Sequence, residues 1–422
     1  MGYSAVLKDS AGKNFWRVYA EGNRVQIIWG AVGGTSQDQA LQVATEAAAE
    51  AMAKKLAEAQ KKRGFSEHAP SGIAKHTEAD DHILESQVDD EPDDPKILQR
   101  YSEWLLAKGD VRGALAKLQR EGSKKEVKTF IEQQKEELFE SLASRYDVEL
   151  LDLTWQDGFV LGATLIREES LNTSLPKLTE RFLTLPVSRF IRSLRFGFAG
   201  YSKQGTTRDW SETFMSIAAS PRAEKLQSLG FDYVTDQRVP LNATVVGNLS
   251  GQWDAFPSLK SLSIRGSEAK LGEFELPSLS RLQWTTARWA RDELTGLEQS
   301  KLPRLSSLYL DLEGAETPAV LMKGKAFSTL SELIIRGAAD DAIATLISGK
   351  LLKRLRRLEL SGTKLSSAGV ESVVKNAKSF AHLESLVITG PKISAAARKA
   401  VTARLPNVSG GAPLVKKKKV KR

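Results

Sequence analysis

Apolar positions in the second half of the chain recur with a fixed internal spacing. Leu259, Leu262 and Ile264 form the pattern L-x-x-L-x-L, which returns at Leu279, Leu282 and Trp284 and at Leu305, Leu308 and Leu310. It follows again at Leu330, Leu333 and Ile335, at Leu355, Leu358 and Leu360, and at Leu383, Leu386 and Ile388. Successive copies start 20, 26, 25, 25 and 28 residues apart. Two looser copies lie upstream, at Ile191, Leu194 and Phe196 and at Leu226, Leu229 and Phe231. The alternating end of the motif predicts a short strand with one apolar face. A unit of this length has room for one strand and one return segment, and neither can bury its apolar side alone. Eight such units must therefore stack and share a core.

A different pattern governs the N-terminal third. Residues 15–19 and 24–29 are aromatic and β-branched, with Gly22-Asn23 between them, so they predict a β-hairpin. Residues 44–62 are alanine-rich, with Ala48, Met52 and Leu56 at steps of four, which predicts a helix with one apolar stripe. The helix ends in Lys61, Lys62, Arg63 and Gly64, with Lys54 and Lys55 one to two turns earlier. Residues 77–94 carry nine acidic side chains and no lysine or arginine. Such a run self-repels and reads as a solvated tether, with an internal mimic of nucleic acid as the alternative. Residues 95–145 predict two or three amphipathic helices.

Composition narrows the function. The 422 residues carry a net charge of +9 and no cysteine, which removes disulfides and thiol chemistry. No apolar run approaches the ~18 residues of a membrane span. The N-terminus lacks a basic stretch followed by an apolar one, so a cytoplasmic protein is expected. The four histidines are His68, His76, His82 and His382; the first three accompany the acidic run, where fixed metal geometry is not expected. There is no phosphate-binding Gly-rich loop and no nucleophile elbow. No enzyme, cofactor or metal is predicted. The dense positive clusters are the helix end and the closing run Lys416, Lys417, Lys418, Lys419, Lys421 and Arg422, and both lie outside the repeats.

Three family resemblances join these readings. Gly22-Asn23-Arg24-Val25, Trp29-Gly30-Ala31-Val32-Gly33-Gly34-Thr35 and the lysine-rich helix resemble the WGR domain. The resemblance implies a small α+β fold that contacts DNA near strand ends through its tryptophan and nearby basic residues. Ala31 stands where the motif has arginine, so that arginine's contact has no counterpart here. The segments Tyr101-Ser102-Glu103-Trp104-Leu105-Leu106, Lys108-Gly109-Asp110-Val111-Arg112-Gly113 and Trp155-Gln156-Asp157-Gly158-Phe159 resemble a bacterial repeat-companion segment. That segment precedes leucine-rich repeats, which the L-x-x-L-x-L array resembles, and implies a bacterial source. Many such repeats carry an asparagine ladder after the strand. Here those positions are Ala199, Val234, Ser267, Ala287, Glu313, Ala338, Thr363 and Pro391, so irregular turns are expected.

The expected architecture is α/β: a WGR-like domain (1–68), an acidic linker (69–92), a helical cap (93–150), an irregular leucine-rich repeat solenoid (151–407) and a basic tail (408–422). The expected function is non-enzymatic binding. Arg24, Trp29, Lys54, Lys55, Lys61, Lys62, Arg63, Lys416, Lys417, Lys418 and Lys419 are the candidates for nucleic acid, DNA rather than RNA, and the repeat surface for a protein partner. The alternative is a protein scaffold with no nucleic-acid role. Trp29 shares strand parity with Val25 and Ile27. It is therefore a core residue, or a ring at the strand end that is open to stacking.

Overall fold

The computed structural model describes residues 4–10, 14–31, 36–67, 94–167, 174–198, 209–234, 244–289, 299–312 and 327–405, with a few isolated residues between them. The chain divides into two compact units. The first comprises Met1–Tyr146, Trp155–Phe159 and Leu185–Val187; the second holds the remainder.

In the first unit, β1 (Ser4–Asp9), β2 (Asn14–Glu21), β3 (Arg24–Ala31), β4 (Ser36–Gln42) and β5 (Phe65–Glu67) form one sheet in the order β4-β3-β2-β1-β5. The predicted hairpin is present, with Glu21 opposite Arg24. Gly22 takes a φ of 56° there and Asn23 does not take a positive one, the glycine-first pattern of a tight hairpin turn. Helix α1 (Glu46–Lys61) is capped by the Thr45 hydroxyl, which accepts from the Ala48 amide. Its buried face is Ala49, Ala53 and Ala57, with Met52 and Leu56 packed alongside. The predicted stripe therefore lies one position early, and Ala48 is exposed. Both rows are apolar, and the row of smallest side chains, all alanine, lets the helix approach the sheet most closely. Leu7, Trp16, Val18, Val25 and Ile27 supply the other half of this core.

Four helices follow: α2 (Pro95–Ala107), α3 (Val111–Glu121), α4 (Lys124–Gln133) and α5 (Lys135–Phe139). Asp94 and Asp110 cap α2 and α3, and Ser123 with Glu126 forms a capping box on α4. Gly113 lets α3 touch α2, since a Cβ there would lie 2.1 Å from the Leu106 nitrogen. The two halves of the companion-like signature meet at this point. Asp157 and Gly158 take φ of 45° and 85°, and the Gly158 amide donates to Gln119 at 2.8 Å. A Cβ on Gly158 would meet the Arg112 carbonyl at 2.1 Å. Arg120 bonds both Asp157 (2.7 Å) and Ser102 (3.0 Å), while Tyr101 stacks on Phe159.

The second unit is built on a ten-stranded sheet in strict chain order. Its strands are β6 (Leu150–Gln156), β7 (Phe159–Arg167), β8 (Ser193–Phe198), β9 (Ser228–Val234), β10 (Ser261–Arg265), β11 (Arg281–Thr286), β12 (Ser307–Leu312), β13 (Glu332–Arg336), β14 (Arg357–Ser361) and β15 (Ser385–Thr389). From β7 onward every neighbouring pair is parallel. The repeated leucines stand in register: Leu262 opposite Leu282, then Leu308, Leu333, Leu358 and Leu386, all buried. Return segments carry α6 (Leu175–Thr184) and α7 (Ser211–Ala218) early, and α8 (Asp340–Ser348), α9 (Ser367–Lys375), α10 (Ala377–Phe380) and α11 (Ala395–Arg404) late.

The missing asparagine ladder has a substitute at the opposite end of the strands. The Lys260 carbonyl accepts from the Ser280 and Arg281 amides at 2.9 and 3.0 Å, and the Ser280 and Ser306 carbonyls accept from the next unit in the same way. Ser280, Ser306 and Ser331 add their hydroxyls, each donating to the carbonyl one unit back at 3.1–3.2 Å. After the strands, backbone bridges such as Val245–Ser267 and Ala339–Lys364 tie the turns.

Leu308→Ala or Leu333→Ala is expected to cost ~2–5 kcal/mol, because the stacked neighbours cannot close the cavity. Chemical denaturation of each variant checks this, and unchanged stability would show that these positions do not share a core.

Candidate nucleic-acid interface

The register of the N-terminal sheet fixes where the candidate residues lie. Glu67, Leu7, Trp16, Trp29 and Gln37 form one row across all five strands. Phe65, which follows the basic helix end directly, pairs with Asp9, two residues beyond Leu7. Trp29 and the Lys61–Gly64 helix terminus therefore share one end of the domain. Arg24 lies at the other end: it pairs with Glu21 and Gln42, and the neighbouring Asn23 carbonyl accepts from Val43. Five strand positions separate Arg24 from Trp29, roughly 17 Å.

Trp29 touches the domain core and keeps part of its surface open. It packs against the core with Leu41, Val43 and Phe65, yet it is only half-buried, whereas Trp16 beside it is 8% exposed. Lys54, Lys55, Lys62 and Arg63 are exposed. Lys61 forms an ion pair with Glu58 at 2.8 Å, which holds the Glu58 carboxyl below its usual range. Cations at this position also complement the negative end of the helix dipole, so part of the cluster has a structural reason. Gly33, Gly34, His68, His76, most of the acidic run and Lys416–Lys419 lie outside the described residues. His382 bonds the Leu352 carbonyl through Nε2 at 2.8 Å.

The open face of the large sheet holds groups that no sequence motif marks. Register shifts between Phe196 and Gly197, so Phe231 pairs with Phe196, Tyr233 pairs with Gly197, and Asp232 is an inserted residue. A bulge of this kind re-aims side chains. Arg195 is bound by Asp232 through Nε at 2.6 Å and Nη2 at 3.1 Å, and its guanidinium lies 5.3 Å from the Tyr233 ring. Ser263 donates to the same carboxylate at 2.7 Å. Four strands on, Arg336 lies 5.1 Å from the Tyr309 ring. The Tyr309 hydroxyl is pushed up to about 12, first by burial and then by Asp311. The inserted Asp232 shows only in the strand register, and the ordinary spacing of Leu226, Leu229 and Phe231 gives no sign of it.

Residues 5–72 match the WGR domain family. This is a nucleic-acid-binding type of domain. No curated protein matches the chain. A crystal structure of a Bacteroides fragilis protein, a structural genomics target, resembles it with 17% identity and a TM-score of 0.49, covering 97% of this chain and 95% of that one.

Replacing Trp29 separates its two roles. Trp29→Ala is expected to lower the stability of the domain by about 1–3 kcal/mol, in keeping with a half-buried ring, and Trp29→Phe to recover most of it. Thermal melts followed by near-ultraviolet circular dichroism check this. A melt unmoved by Trp29→Ala would place the ring wholly outside the core.

Proposed function

We propose that the chain is a non-enzymatic, modular binding protein of the cytoplasm. Its WGR domain and basic tail hold nucleic acid, and its leucine-rich repeat solenoid holds a protein partner. One observation carries the first half: within the matched domain, Trp29 and the exposed Lys62 and Arg63 lie at the same end. Trp29 on β3 and the helix end that leads into β5 are three strand steps apart, ~14 Å, a span over which one strand can stack a base on the ring and lay its phosphates on the cations. The tail's lysines add salt-sensitive, sequence-independent affinity. Arg24 lies some 17 Å from Trp29 along the strand, at the other end of the domain, and would contact a more distant part of the same ligand.

The second half draws support from the Arg195–Tyr233 and Arg336–Tyr309 pairs. Tyrosine and arginine dominate the energetic centres of protein interfaces, and a pair already in contact loses little freedom on binding. A protein scaffold without a nucleic-acid role is the competing reading, and those same two pairs favour it. No helix among the described residues is long and apolar enough to cross a membrane.

Fluorescence anisotropy of labelled single- and double-stranded DNA across a salt series distinguishes the two readings. Binding by the full chain is expected to weaken steeply with salt. Removal of residues 414–422 is expected to make the slope shallower and to weaken all sequences alike. Lys62→Gln with Arg63→Gln is expected to cost roughly tenfold in affinity at fixed salt, because one or two phosphates are then no longer neutralised. No binding at low salt would leave the scaffold reading in place.

A further inference from the structure

The repeats carry a charge asymmetry that stacking turns into a surface. The five-residue windows that open the eight units run from 189–193 to 381–385, and together they hold ten Lys or Arg and three Asp or Glu. The five-residue windows that follow the last apolar position of each unit, from 197–201 to 389–393, hold five basic and six acidic residues. No single opening window before residue 353 has more than two positive charges, so none reads as a cluster along the chain. The expectation that dense positive charge lies only outside the repeats is corrected by Lys353, Arg354, Arg356 and Arg357 within a repeat, and by the stacking that gathers the scattered charges with them.

The backbone ladder shows that these windows are neighbours. The Gln227 amide donates to the Arg192 carbonyl, Lys260 to Gln227, Ser280 to Lys260, Ser306 to Ser280, Ser331 to Ser306 and Arg356 to Ser331. Every link is one inter-strand step of ~4.8 Å, so six steps give a rim of about 29 Å. Lys260, Arg281, Arg304, Lys353, Arg356 and Arg357 along it are exposed. The acids are few: Glu332 accepts from Ser307, and Glu384 lies 3.5 Å from Arg356. At the early end the Arg222 guanidinium is pushed down to about 10, first by burial and then by the charge of Arg189.

We propose that the N-terminal rim of the parallel sheet is a second nucleic-acid site, one that tracks the phosphate backbone of a duplex without reading sequence. Cations stand in six of the eight opening windows, all but 328–332 and 381–385, and successive units are ~5 Å apart, so the rim meets several phosphates of one backbone and counterion release supplies the affinity. The site lies in the second unit and stands whether or not the WGR domain binds.

The experiment uses the full-length chain and a labelled DNA duplex. One variant carries Lys260→Gln, Arg304→Gln and Arg357→Gln. A control of equal charge carries Arg288→Gln, Lys364→Gln and Lys392→Gln on the opposite rim. All six side chains are exposed. The rim variant is expected to lose at least tenfold in affinity and to show a salt slope shallower by about 0.9 for each phosphate no longer neutralised. The control is expected to stay near the parent. Equal losses in the two variants, or no loss in either, would overturn the proposal. So would rim-dependent binding to poly-glutamate without binding to DNA, which would assign the rim to an acidic protein. Acetylation footprinting of the unaltered chain removes any dependence on variant folding. DNA should protect Lys260 and Lys353 and leave Lys364 and Lys392 reactive, and the reverse pattern would also overturn the site.

Discussion

Everything in the larger unit depends on one repeated bond set, in which the carbonyl just before each strand accepts from two amides of the next unit. The Lys260, Ser280, Ser306, Ser331 and Arg356 carbonyls all do this. The bonds fix the register, and the register places Leu262, Leu282, Leu308, Leu333, Leu358 and Leu386 in one buried row. A slip of one residue would turn each row of leucines to the open face, which burial forbids. The serine hydroxyls of Ser280, Ser306 and Ser331 reinforce the ladder in the middle of the array. Stacking also converts the composition of one repeat position into the composition of one stripe of surface. The basic rim and the mixed open face both follow from that conversion.

The WGR domain is organised by closeness instead. Its single helix lies on the sheet through Ala49, Ala53 and Ala57, with the larger Met52 and Leu56 to the sides. That geometry leaves the lysines of α1 on the outer face and brings the helix end to the same end of the strands as Trp29. Cations there are favoured by the dipole before any ligand arrives. A ring half in the core is held in place by packing.

Much of this is legible in the sequence. Gly22-Asn23 marks the hairpin, the 3.6-residue spacing marks α1, and L-x-x-L-x-L marks eight parallel strands in their observed register. The departures have physical causes. In a helix rich in alanine two adjacent stripes look equally apolar, so the spacing points one position early. The asparagine ladder of such repeats follows the strand, whereas the ladder here runs before it on backbone and serine. A single inserted residue, Asp232, leaves no periodic trace, yet it sets the Arg195 cluster. The basic rim is only partly visible along the chain: Lys353, Arg354, Arg356 and Arg357 form one cluster, while the other six charges are scattered over 189–304 and meet it only when the units stack.

Photo-crosslinking tests most directly whether nucleic acid meets this chain at the tryptophan end of the WGR domain and along the N-terminal rim. The full-length chain would be irradiated with a bromouracil-substituted DNA carrying a single-stranded end, and the crosslinked peptides identified by mass spectrometry. Crosslinks are predicted in the peptides that hold Trp29 and residues 61–65, and in those that hold Lys260, Arg304 and 353–357. Crosslinks confined to the open sheet face or the opposite rim, or none above an irradiated control without bromouracil, would contradict this placement.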